Sequence, residues 1–334
     1  MTKGLRNARC VAGLLLCTPC PAQVSASPGR PVPPPVSQES TGDVTTLRIT
    51  TRTVEISAVV RNKTGEPQGA LTKDDFDLKV DGKEQPIRYF SVASDLPLTL
   101  ALLVDVSGSQ RTFIGDEWRA SDLFFESMLT RPQDRAMLVQ IDARIDLLMG
   151  LTNSPNALHL ALTQLGQNSV AQAQTRLDDA VYNIASKVLA REKGRKAIIL
   201  LTDGGDNGSR TTLDQAIEQA QRANVPVYAI LYSAWAGFTA PSMNLNSIAA
   251  ASATQGEQLL KKLAASTGGH VYTVERGMTL KKIYEAISTD LRTQYQLGYT
   301  PPPDLQPNSF HKLDLRTTDK KLAVQARSGF YVQP

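Results

Sequence analysis

Asp105, Ser107 and Ser109 stand at alternate positions directly after an apolar run, so a turning backbone can point all three inward. Asp203 follows a second apolar run and precedes Gly204 and Gly205, and Thr175 lies between the two runs, at the start of a helical pattern. Carboxylates and hydroxyls gathered without histidine or cysteine are hard oxygen donors, suited to magnesium, manganese or calcium rather than zinc. By themselves, Asp105, Ser107 and Ser109 read as a polar turn capping the next helix, and Thr175 as an N-cap. Their combination with Asp203 in one chain is what points to an ion. Asp178 and Asp179, just after Thr175, are placed to orient bound waters or to cap that same helix.

The elements that must hold these groups are legible in the apolar pattern. Residues 98–104 and 197–201 are continuous apolar runs, as expected of strands covered on both faces. Residues 136–141, 227–231 and 271–274 read as further strands, with 145–149 as the antiparallel neighbour of 136–141. Helical patterns occupy 113–129, 156–165, 177–190, 213–223, 258–267 and 280–292. Strands alternating with helices predict an α/β fold: a doubly wound, mostly parallel six-stranded sheet with helices on both faces. In such a sheet ligands bind outside the carboxyl ends of the strands, where Asp105 and Asp203 fall.

A different texture flanks this block. Residues 46–62 alternate, with Val54, Ile56, Ala58 and Val60 on one face, and Lys63 to Pro67 make a turn. Thr72 and Asp75 are spaced to cap a short helix over 73–76. A strand over 76–80, a tight turn at Asp81-Gly82 and a return over 87–90 complete a small β unit spanning 44–96. Residues 295–334 alternate again and are too short for a core of their own, so they are expected to lie on that unit. Three charges (Lys3, Arg6, Arg9), a short apolar run and small residues describe a secretory signal peptide over 1–26, cleaved after Ala22 or Ala26. A proline-rich linker over 27–43 follows. The product is expected to be exported, to the periplasm or outside the cell.

Asp105-x-Ser107-x-Ser109, then Thr175, then Asp203 before glycine, resembles the metal-ion-dependent adhesion site of von Willebrand factor A domains, over about residues 97–294. The flanking segments Leu71-Thr72-Lys73-Asp74-Asp75-Phe76 and Tyr295-Gln296-Leu297-Gly298-Tyr299 are similar to a bacterial von Willebrand factor A-related subfamily described first from acidobacteria. The resemblance implies that Ser107, Ser109 and Thr175 give hydroxyls to a magnesium ion (or manganese or calcium). Asp105 and Asp203 then act mainly through bound waters, and an open position takes an Asp or Glu carboxylate from a partner protein. Family members often carry glycines just before the threonine. Here Ala171-Gln172-Ala173-Gln174 stand there, so Thr175 is expected to move less freely.

Composition narrows the alternatives. With 334 residues, 41% hydrophobic and 20% charged, the chain can build a sizeable core and is neither collagen-like nor mostly disordered. No apolar run approaches twenty residues, so no transmembrane span is expected in the mature chain. The net charge of +4 falls to +1 without Lys3, Arg6 and Arg9, leaving no basic patch that would suggest nucleic acid. Cys10, Cys17 and Cys20 all lie in the leader, so neither disulfides nor thiol chemistry is expected afterwards. His159, His270 and His311 are scattered, and no phosphate loop or nucleophile elbow is present, so no enzyme is expected. Asp203 to Gly208 faintly resembles a calcium loop, but Gly205 stands where an oxygen ligand is needed. Trp235, Phe238 and Met243, in a long stretch after a strand, are candidate partner contacts. A metal-dependent hydrolase and an ion-independent envelope scaffold are the alternative readings.

Overall fold

The computed structural model describes residues 53–92, 96–107, 114–167, 169, 174–232 and 247–333, the side chains of 114–117 and 247–253 excepted. The expected signal peptide and linker lie outside these residues. Four strands come first: β1 (Val54–Arg61), β2 (Phe76–Val80), β3 (Lys83–Gln85) and β4 (Tyr89–Val92). The α/β block follows with β5 (Leu98–Asp105), α1 (Ile114–Met128), β6 (Arg135–Ile141), β7 (Ile145–Thr152), α2 (Pro155–Leu162) and α3 (Leu177–Asn183). It continues through β8 (Arg195–Thr202), α4 (Leu213–Arg222), β9 (Val227–Leu231), α5 (Ser247–Thr267), β10 (Val271–Thr273) and α6 (Leu280–Thr293). Then come β11 (Tyr295–Tyr299), β12 (Phe310–Thr317), β13 (Ala323–Ala326) and β14 (Gly329–Tyr331).

The central sheet has the order β10-β9-β8-β5-β6-β7, parallel throughout except for the β6–β7 pair. From β5 the chain fills one side of the sheet through β6 and β7, then returns to fill the other through β8, β9 and β10. The strand order therefore reverses between β5 and β8, and this is where the crevice of a doubly wound sheet opens. Side chains alternate between faces along β5. Leu100, Leu102 and Val104 join Phe124, Phe125 and Met128 of α1 and Ile283, Ile287 and Leu291 of α6. Ala101 and Leu103 join Val181 of α3, Ala216 and Ala220 of α4 and Leu263 of α5 on the other face. From Leu100 to Val104 every position of this doubly covered strand is apolar, and the first charge comes where it ends, at Asp105.

The flanking strands form two four-stranded sheets, β13-β1-β11-β4 and β14-β12-β2-β3. Ile56, Val60, Phe76, Leu78, Tyr295, Leu297, Leu315 and Phe330, drawn from both, share one core. Tyr295 meets Phe76 edge-on at 5.3 Å and stacks with Phe90 at 5.7 Å. Three details differ from the sequence reading. The return strand after Asp81-Gly82 is β3, pairing Val80 with Lys83, because two positive-φ residues at the turn leave no slack. Residues 89–92 instead pair with β11. The helix expected over 177–190 is α only to Asn183, then passes through a π turn (Ile184–Val188) and a 3₁₀ turn (Leu189–Arg191), while α5 begins well before residue 258.

Candidate metal centre

Asp105 ends β5 and is fully buried. Its Oδ1 accepts the Ser107 backbone N–H at 2.9 Å, and its Oδ2 accepts the Thr202 hydroxyl at 2.8 Å. Thr202 is the last residue of β8 and also accepts the Gly204 N–H at 3.0 Å. Because β5 and β8 are paired in register, Val104 against Leu201, the carboxyl ends of both strands arrive at the same level. Asp203 follows, with its Oδ1 accepting the Gly205 N–H at 3.0 Å. Burial pushes the Asp105 carboxyl up to about 6, and the Asp203 charge adds to it against the hydrogen bonds from Ser107 and Thr202.

Gly204 is required by this turn. Its φ is +89°, and a Cβ there would lie 2.8 Å from the backbone of Gly256 on α5. The Asp203 turn therefore presses directly on a helix backbone, at a point where both segments carry glycine.

Thr175 is 6% exposed and is held from two sides. Its N–H donates to Asn207 Oδ1 at 2.8 Å, while its carbonyl accepts the N–H groups of Asn207 and Gly208 at 3.3 and 3.0 Å. The next residue, Arg176, donates its N–H at 3.1 Å to the carbonyl of Asp142, which follows β6 and is itself fully buried. The segment is thus strung between the end of β6 and the loop after β8, the strands that flank β5. Ser107 is also buried, at 6% exposure.

The Asp179 side chain serves the loop after β8, whereas Asp178 meets that loop through its backbone N–H. Asp179 Oδ2 accepts Arg176 Nε and Nη2 at 2.9 and 2.6 Å, and its Oδ1 accepts the N–H groups of Thr211 and Arg210 at 2.9 and 3.2 Å. Burial would raise its carboxyl, yet these hydrogen bonds win and hold it at about 2. At the N-terminus of α3, Asp206 Oδ2 accepts the Asp178 N–H at 2.8 Å and the Ser209 hydroxyl accepts the Asp179 N–H at 3.0 Å. Burial, followed by the charges of Asp206, Asp179 and Asp214, pushes the Asp178 carboxyl up to about 7. Ser109, Trp235, Phe238 and Met243 lie outside the described residues.

Thr202, Asp206 and Asn207 are the site-building residues that pattern reading passed over. Asp206 and Asn207 stood in plain view, but only as an imperfect calcium loop. Asp105, Asp203, Ser107 and Thr175 stand at or beside the carboxyl ends of β5, β6 and β8, and each carries side-chain oxygen. No cationic side chain pairs with Asp105 among the described residues. A buried carboxylate without a counter-ion, beside a second carboxylate, fits a hard divalent cation.

Residues 99–286, more than half of the chain, match the model of the von Willebrand factor type A domain. No curated protein is significantly similar in sequence. Among solved structures, a von Willebrand factor type A protein from Catenulispora acidiphila is 12% identical, with 80% of this chain and 75% of that one covered and a TM-score of 0.47. The conserved hypothetical protein BatB from Bacteroides thetaiotaomicron is 15% identical, covering 57% of this chain and 97% of that one, with a TM-score of 0.42. Proximal thread matrix protein 1 from the mussel byssus, in a form with a zinc-occupied MIDAS motif, is 20% identical, with a TM-score of 0.46. That likeness covers 62% of this chain and about half, 48%, of the mussel chain. With its reversal between β5 and β8 and the match over its α/β block, the chain belongs to the von Willebrand factor type A domain family.

Proposed function

We propose that this protein is an exported interaction module that captures an acidic side chain of a partner protein through a divalent cation. Asp105, Ser107, Ser109, Thr175 and Asp203 would hold the ion, with magnesium the first candidate and manganese or calcium the others. The observation that carries this reading is the buried, uncompensated Asp105 beside Asp203 at the β5–β8 reversal. When bound, the cation supplies a Lewis-acidic position for an incoming carboxylate. The chain's own residues do the rest. Thr202 and the Ser107 amide fix the Asp105 carboxylate, Asn207 fixes the Thr175 backbone, and the Gly204–Gly256 contact fixes the Asp203 turn.

Binding without turnover is the simplest reading of this donor set. The histidines are engaged elsewhere: His159 with Asp122 at 3.0 Å, His311 with Asp81 at 2.7 Å, and His270 edge-on to Tyr272. A hydrolase would need a general base at the sheet edge besides the aspartates.

Calorimetric titration with magnesium, manganese and calcium is the test. One saturable site is expected, lost in Asp105→Ala with the circular dichroism spectrum unchanged. Capture of a partner from an envelope extract should then fail in chelator. No heat with any of the three ions would reject the proposal, and magnesium-dependent turnover lost in Asp105→Ala would replace it with the hydrolase.

A further inference from the structure

The amino end of β8 carries a different kind of site. A cavity of about 210 Å³ opens where the flanking strands meet that edge of the central sheet. Lys196, the second residue of β8, and Arg327, between β13 and β14, both line it. Neither has a carboxylate within ion-pairing distance among the described residues. Lys196 Nζ donates to the Ala223 carbonyl at 2.5 Å, and Arg327 gives its two Nη groups to the carbonyls of Gln221 and Glu55. Arg327 is 7% exposed, and its Nε has no partner. Two cations drawn partly out of water with no direct ion pair are unfavourable unless further negative charge joins them. Burial accordingly holds the Lys196 ammonium below its usual range and brings the Arg327 guanidinium down to about 10.

The local charge fixes the kind of anion. Arg222 at the rim is already paired with Glu218 at 2.8 Å and lies over the Tyr331 ring at 4.3 Å. Glu55, exposed on the wall, offsets one of the two remaining positive charges. Glu192, which also acts on Lys196, is paired with Arg135, so the uncompensated charge is +1, which a monoanion neutralises and a dianion overshoots. Val54, Phe330 and Val332 supply apolar wall. The volume is below the roughly 300–1,000 Å³ of pockets for drug-sized ligands, so the occupant is small.

We propose that this cavity binds a small organic monocarboxylate, its carboxylate hydrogen-bonded by Lys196 in the field of Arg327 and its apolar body against Phe330 and Val332. The site is separate from the cation edge at the other end of β8 and does not depend on it.

Calorimetric titration of the full chain in chelator, with benzoate, butyrate, inorganic phosphate and benzyl alcohol in turn, tests it. Saturable binding of benzoate or butyrate is expected, with phosphate and the uncharged alcohol much weaker. Lys196→Met should weaken binding about tenfold or more, the loss of one charge-assisted hydrogen bond. Glu55→Gln, an exposed change, should strengthen it a few-fold by removing the competing charge. No saturable carboxylate binding, tighter binding of phosphate, or weaker or unchanged affinity in Glu55→Gln would overturn the proposal. The glutamine variant decides the matter even if Lys196→Met fails to fold.

Discussion

Asn207→Ala probes how Thr175 is placed at the sheet edge. Asn207 Oδ1 accepts the Thr175 N–H at 2.8 Å, and the Asn207 and Gly208 amides return two hydrogen bonds to the Thr175 carbonyl. Alanine keeps those backbone donors and removes only the acceptor. Thr175 is 6% exposed, so water cannot replace the lost partner without opening the loop. Leaving one buried N–H unpaired costs about 1–3 kcal/mol, and urea unfolding in chelator should show a loss of that size. Magnesium affinity, read by calorimetry, should fall about 10–100-fold, the range for groups that orient metal ligands from outside the coordination shell. Asn207→Asp keeps an acceptor at the same place and should retain most of the stability. Lost stability with unchanged magnesium affinity would refute the placement of Thr175 among the ligands. If neither quantity moved, the clamp itself would be refuted.

Two further perturbations test the frame around the site. Asp290 on α6 is buried, paired with Arg61 of β1 and bonded by the Tyr272 hydroxyl at 3.2 Å; burial pushes its carboxyl from 3.8 up to about 6. A raised folded pKa favours the protonated form, so this stabilising contribution is present below about pH 4 and lost as pH rises through 6; Asp290→Asn should gain about 3 kcal/mol on wild type between about pH 4 and 7, and a flat difference in urea-unfolding curves would contradict this. Gly204→Ala places a methyl 2.8 Å from the Gly256 backbone at φ +89°. Strain and overpacking together should cost about 2–4 kcal/mol in urea unfolding, and a loss below about 0.5 kcal/mol would mean that the turn relaxes freely.

How much of this was legible depended on how local each signal is. Residues 98–104 and 197–201 announced themselves because a strand covered on both faces is apolar at nearly every position, Thr99 being the one polar residue in the two runs. Asp105 and Asp203 stood out as the first charges after those runs. The strand β3 has three polar residues at a sheet edge and no apolar rhythm, so only the Asp81-Gly82 turn implied it. Thr202 was hidden by belonging to the strand it ends, and its bond to Asp105 spans 97 positions. Asn207 and Asp206 act on backbone amides about thirty residues earlier in the chain, and no periodicity encodes a contact of that kind.

Both ends of the α/β block are tied into one small sheet. β4 precedes the block and β11 follows α6 after Gln294 alone, and the two are antiparallel neighbours with Val92 opposite Tyr295. β1 pairs with the other side of β11, and its Arg61 reaches Asp290 on α6. The flanking strands are therefore anchored at the end of the block where Arg195 opens β8 and bonds the carbonyls of Leu96 and Leu291. Asp105, Thr202 and Asp203 lie at the opposite end of the same strands. The central sheet has its own core on each face, so its integrity does not depend on the Arg61–Asp290 tie. Asp290→Asn should for that reason alter stability against pH while leaving magnesium affinity in place. A parallel loss of affinity would mean that the cation edge depends on how the flanking sheet is docked.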